Sequence, residues 1–174
     1  MPNHLFVMAD ERNRNRGETA YVFVDRNNYP AAKAPFYGSA QAAGADVYIV
    51  AETKMPVKPG QYRDPRVTWY TTGVVVEPPA GHHFELVGRS SLSGTGYQLA
   101  NCLGVLDEDY RGEILCAVRK IDPAAPALLA NGPFKLGQLV LRKTCRCRFV
   151  EVNHKDELAT TARGTGGFGS TDNV

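Results

Sequence analysis

The chain has 174 residues, with 20 Lys and Arg against 18 Asp and Glu, a formal net charge of +2. That length suits one domain with an ordinary core, and the near balance of charge argues against a protein whose main work is gripping nucleic acid, which leaves a basic stripe or tail. With 43% hydrophobic and 22% charged residues the chain is neither disordered nor fibrous, and its 17 Gly and 11 Pro point to many turns between short elements.

Strand signals dominate from the start. Leu5–Met8 and Thr19–Val24 are short β-rich runs, and the polar stretch Asp10–Glu18 between them reads as a hairpin loop. Asp46–Ala51 follows the small-residue run Gly38–Gly44. Val67–Thr72 and Val74–Glu77 flank Gly73, a bulge or bend. The turn Pro78–Gly81 leads to His82–Val87. Later strands are Tyr97–Ala100, Gly112–Val118, Lys135–Leu141 and Arg146–Val152, separated by turn clusters at Ser93–Gly96, Asp107–Asp109, Asp122–Pro123 and Asn131–Pro133.

No segment keeps a 3.6-residue apolar period for three turns. About ten strands spaced by turns imply an all-β sandwich, jelly roll or barrel. The expected organisation is one β domain over residues 1–157, with 1–30 an extended N-terminal hairpin region, and a small, Gly-rich tail over 158–174. No stretch approaches about 18 consecutive apolar residues, so no membrane-spanning helix is expected. The first 16 residues turn charged after Met8 and lack a secretory apolar segment. Four Cys are too few for a disulfide scaffold. Cys145 and Cys147 share one face of a strand, but no further soft ligand stands at zinc spacing. Plain reduced thiols in a cytoplasmic or other intracellular reducing compartment are the expectation.

Four segments carry chemistry. In Asn101–Glu113 two apolar runs flank an acidic turn, a hairpin with a polar lip where Asp107, Glu108 and Asp109 concentrate charge. Such charge is either a solvated turn or serves a cation or a proton transfer. Arg163–Thr171 combines an arginine, four glycines and hydroxyls. Consecutive N–H groups there suit phosphate oxygens, but the segment lacks the Gly-Lys-Ser/Thr ending of a Walker loop. Gly88–Ser93 ends a strand with a cation and hydroxyls, as phosphate sites and turn caps both do. Asp46 is an acid near a strand start.

In order and wording these segments resemble the five motifs of the trimeric deoxyuridine triphosphate nucleotidohydrolases, the dUTPases. The motifs are Ala43–Tyr48, Gly88–Ser93, Asn101–Glu113, Lys135–Val140 and Arg163–Thr171. The third and fifth are specific; the first and fourth mean little alone. In the fourth, Pro133, Lys135 and Gly137 stand where the family usually has Gly, Arg and Ala, while Gln138 is kept. The N-terminal region reads as one strand longer than the family pattern.

The resemblance implies a jelly-roll or distorted-barrel dUTPase-like fold, a homotrimer with shared sites, and hydrolysis of dUTP to dUMP and pyrophosphate with Mg²⁺ across the triphosphate. Asp107 would orient and deprotonate the attacking water. Asp46 would hold waters in the metal's outer shell. Asn101 and the backbone through Gly104 would pair with uracil, and Tyr110 would lie under the deoxyribose. Arg89, Ser90, Ser91 and Gln138 would contact phosphates. Arg163 would reach the γ-phosphate and Phe168 stack over uracil, with Gly167, Gly169 and Ser170 closing the lid. Two alternatives share the fold. A dCTP deaminase, alone or bifunctional, needs a glutamate on the strand after Glu113, which instead reads Ile114–Val118. A nucleotide-regulated interaction protein need not keep Asp107, Gln138, Arg163 and Phe168.

Overall fold

The fold is that of a computed structural model, which describes residues 19–54 and 64–167. The expected strand Leu5–Met8, the loop after it, and Phe168, Gly169 and Ser170 lie outside those residues. The chain divides into two compact units, residues 1–144 and 145–174.

The first unit is all-β and antiparallel. Its strands are β1 Tyr21–Val24, β2 Phe36–Tyr37, β3 Gly44–Ile49, β4 Ala51–Thr53, β5 Val67–Thr71, β6 Val74–Glu77, β7 His82–Gly88, β8 Tyr97–Leu99, β9 Gly104–Leu106, β10 Leu115–Lys120 and β11 Phe134–Lys143. They form a five-stranded sheet ordered β2-β3-β11-β7-β9, a four-stranded sheet ordered β4-β5-β10-β8, and a pair of β1 with β6. A single 3-10 turn, Ser90–Gly94, follows β7. Among the described residues no helix is long and apolar enough to cross a membrane.

Both large sheets contribute to one core. Val47 and Ile49 of β3, Phe84 and Leu86 of β7, and Leu136 and Leu139 of β11 meet Tyr70, Cys116 and Val118 of the other sheet. Burying each large apolar side chain contributes roughly 1.5–3 kcal/mol. Leu136 and Leu139 are three residues apart, yet both are buried. On a regular strand that spacing points to opposite faces. A β-bulge between Lys135 and Gly137 adds the residue that restores the parity.

Three expectations for the first unit are corrected. The run Asp46–Ala51 is not one strand: the chain passes at Val50 from the five-stranded sheet to the four-stranded one, where Val50 N–H donates to Thr71 O at 2.9 Å. The segment 101–113 is not a two-stranded hairpin. Its flanking strands β9 and β10 belong to different sheets, because Gly104–Leu106 finds its apolar partner face on β7. Regular pairing of β10 begins at Leu115 rather than Gly112.

The second unit holds no strand among its described residues, so the expected strand Arg146–Val152 forms no ladder with any described residue. Its ordered feature is the 3-10 turn Lys155–Glu157, where the Glu157 carboxylate accepts from the backbone N–H of Asn153 (3.1 Å) and His154 (2.9 Å).

Candidate active site

Sheet register assembles a cluster around Asp46. Gln138 of β11 stands opposite Asp46 of β3, and Val87 of β7 stands opposite Gln138. Gln138 Nε2 donates to Asp46 Oδ1 at 2.9 Å. Arg89, just past β7, brings Nε to the same oxygen at 3.1 Å, and Lys135 brings Nζ to Oδ2 at 2.9 Å. Lys135 and Gln138 are again three apart and share a face because of the bulge.

Asp46 is only 3% exposed. Burial alone pushes its carboxyl up, but the hydrogen bonds from Lys135 and Gln138 and the charge of Arg89 outweigh it and hold the carboxyl below its ordinary value. The hydrogen bond to Asp46 raises the Lys135 ammonium. Both groups therefore stay charged across the neutral range. Lys135 also lies 4.9 Å from the centroid of the Phe36 ring and 5.6 Å from that of Tyr48, within cation–π range. Its ion pair with Asp46 was not foreseen from the sequence; the only signal was its place in the fourth motif.

The third motif forms a second group. Asn101, Asp107 and Tyr110 are all exposed. A Cβ on Gly104 would lie 3.5 Å from Asn101 Nδ2, so the amide rests over that glycine. Asp107 follows β9, and its carbonyl accepts from Tyr110 N–H at 3.1 Å. The Tyr110 hydroxyl donates to Glu113 O at 3.1 Å. Arg111 Nη1 donates to Glu108 O (2.6 Å) and Tyr110 O (2.9 Å), while Nη2 pairs with Glu77 at 3.3 Å. Glu108 accepts from Gly81 N–H at 2.9 Å and Glu113 from Gly73 N–H at 2.6 Å. Sequence reasoning gave no role to Arg111, Glu77 or Glu113, whose partners are distant in the chain.

Asp107 stands apart from the Asp46 cluster. Leu106 pairs with Phe84, Asp107 extends one residue beyond Leu106, and Arg89 lies five residues the other way along β7. Their separation is therefore about 20 Å of extended strand. Near Arg89 lies an open depression of about 470 Å³, lined by Gly88, Leu92, Ser93, Tyr97 and Cys102 among others; Asp107 does not line it. Ser90 and Ser91 are exposed in the 3-10 turn, and Arg89 Nη1 reaches Ser91 Oγ at 3.5 Å. In the second unit Arg163 is exposed and its Nε donates to Gly166 O at 2.9 Å, with Gly167 next to that turn.

Among the described residues no group of three or more His, Cys, Asp and Glu is placed to hold a metal ion. Asp46 accepts three donors. A carboxylate has about four acceptor positions, so one remains for a metal-bound water.

The sequence profile of the dUTPase family matches residues 31–172. The chain belongs to the dUTPase family. The deoxyuridine 5'-triphosphate nucleotidohydrolase of Thermobifida fusca (strain YX) is 37% identical over 143 residues, covering 82% of this chain and 74% of that protein. That of Desulfitobacterium hafniense (strain DSM 10664 / DCB-2) is 36% identical over 154 residues, 87% of this chain and 93% of that one. A dUTPase mutant of Staphylococcus bacteriophage 80alpha, solved with dUpNHpp, has a TM-score of 0.62 at 17% identity, over 89% of this chain and 99% of that one. At such identity the likeness speaks for the fold alone. Within the dUTPase family pattern, the departure at Lys135 still leaves a cation on Asp46.

Proposed function

We propose that this chain hydrolyses dUTP to dUMP and pyrophosphate by attack of water on the α-phosphorus of a Mg²⁺-bound triphosphate. The observation that carries the reading is the 101–113 segment. It presents an amide, a carboxylate and an aromatic ring to solvent on a frame fixed by hydrogen bonds to two other turns and to β6. Family membership supplies the substrate class for that constellation.

Asp107 orients the water and takes its proton, for which a carboxylate within hydrogen-bond reach suffices. Asn101 and the backbone to Gly104 read the uracil edge; the amino group of cytosine would place donor against donor and leave both unpaired. The Tyr110 ring seats the deoxyribose and leaves no room for a 2′-hydroxyl. Arg89, Ser90, Ser91 and Gln138 hold phosphate oxygens, with Asp46 fixing the Arg89 and Gln138 side chains that do so. Mg²⁺, when bound, neutralises the phosphates and draws charge from the phosphorus, and Asp46 has one acceptor position for its water. Arg163 supplies a further guanidinium for the γ-phosphate, as the family resemblance implies.

The reading requires more than one copy of the chain at each site. About 20 Å along the sheet between Asp107 and Arg89 exceeds what one triphosphate spans, so the base on one chain works with the phosphate contacts of another. Exposed apolar side chains support association: Phe23 is 62% exposed, Val105 55% and Phe149 92%. A homotrimer with shared sites accounts for both.

Deamination of dCTP finds no support, because β10 carries no acid and its Cys116 thiol is buried and pushed up to about 12 by that burial. Incubation with dUTP and dCTP separates the readings. The hydrolase gives dUMP from dUTP and no ammonia from dCTP; ammonia from dCTP would establish deamination instead.

A further inference from the structure

Tyr110 owes its position to its two successors in the chain. The ring is 43% exposed, yet it is tied at both ends. Its N–H donates to Asp107 O and its hydroxyl to Glu113 O. Arg111 Nη1 holds its carbonyl, and that guanidinium is anchored on Glu77 at the end of β6. Glu113 is anchored on Gly73, the residue before β6. The segment is thus pinned alongside one strand at both of its ends.

Gly112 completes the arrangement by what it lacks. A Cβ there would fall on the phenol oxygen and Cζ of Tyr110, and 2.8 Å from Cε2. The ring occupies the space of the missing side chain. Gly112 does not have the left-handed backbone that restricts other residues, so alanine is allowed by the backbone there and only the end of a side chain has to move.

We infer that Gly112 and Arg111 are the residues that set discrimination between deoxyribose and ribose, by fixing the height and tilt of the Tyr110 ring. The inference rests on the reading of Tyr110 as the seat of the sugar. Gly112→Ala displaces the ring while the strands stay as they are. dUTP then loses its fitted contact, whereas UTP, which never had it, loses nothing and gains room where the ring recedes. Glu77→Gln loosens Arg111 from outside the segment and moves the ring by less.

The test is kcat/KM for dUTP and for UTP in the wild type and in Gly112→Ala, Glu77→Gln and Tyr110→Ala, with thermal unfolding of each. The expected result is a near-native melting curve for Gly112→Ala and a dUTP-to-UTP preference lowered about tenfold or more, the scale of a misfit of one methylene-sized group. Glu77→Gln lowers the preference less, and Tyr110→Ala lowers it most. A preference unchanged in Gly112→Ala but lowered in Tyr110→Ala overturns the inference and leaves the sugar seat standing. A preference unchanged in Tyr110→Ala overturns the seat itself. If Gly112→Ala unfolds or loses both activities, Glu77→Gln decides, and an unchanged preference there overturns the inference.

Discussion

Asp107 stands exposed at the end of β9, where its backbone carbonyl rather than its carboxylate makes the contact with Tyr110. That leaves the geometry of the turn independent of the side chain's charge. Asp107→Asn should therefore keep the fold and the affinity for a non-hydrolysable dUTP analogue, while turnover falls by about 10²–10⁴-fold, the usual worth of a general base. Steady-state kinetics with a binding titration checks this, and unaltered turnover would remove Asp107 from the role. Asn101, Asp107 and Tyr110 could be proposed from the sequence because they lie within ten residues of one another in one motif. Lys135 and Arg111 could not. Lys135 meets Asp46 only because of a bulge, and Arg111 meets Glu77 only because the loop after β9 lies beside β6, distant in the chain.

The bulge in β11 has an energetic signature of its own. At Gly137, just past it, a Cβ would stand 2.7 Å from Val87 O and 3.0 Å from Leu86 Cδ1. Backbone cannot retreat as a flexible side chain does, so Gly137→Ala should cost about 1–3 kcal/mol, the range of overpacking, read as a lower denaturation midpoint. A native midpoint would mean the two strands part freely there. The strands β5 and β10 carry a second signature. Asp64, just before β5, takes a hydrogen-bonded ion pair from Arg66 and another from Arg119 of β10. The Arg66 guanidinium first, then Arg66 N–H and the charge of Arg119, hold the Asp64 carboxyl down at about 2. A lowered carboxyl contributes stability above its unfolded value of about 4 and loses it as pH falls towards 2. Thermal midpoints from pH 7 to 2 should fall less steeply in Asp64→Asn than in the wild type over that window; parallel curves would contradict the pair. Most strands could be read from β-branched runs and turn residues. The sheet change at Val50, and the pairing of β9 with β7 rather than β10, could not. They depend on which apolar face each strand finds across the core.

At the level of the whole protein, the proposed reading makes each site the work of several chains, because Asp107 and Arg89 of one chain are far apart. Two defective variants should then repair one another. Asp107→Asn and Arg89→Ala, each nearly inactive alone, should regain a fraction of wild-type activity when unfolded and reassembled together, since some sites then receive an intact Asp107 from one chain and an intact Arg89 from another. No recovery in mixed assemblies would place both residues at one site of one chain. The sequence suggested a net charge too small for nucleic acid; in the structure two cations, Arg89 and Lys135, are gathered on one carboxylate, Asp46, and the proposed reading gives the Arg89 side of that cluster to the phosphates. The activity itself is decided by pyrophosphate release from dUTP, dCTP, dTTP and UTP, each with and without Mg²⁺. Release from dUTP alone, and only with the metal, is the predicted result. Equal release from UTP or dCTP, or binding of Mg²⁺·dUTP with no release, would contradict it.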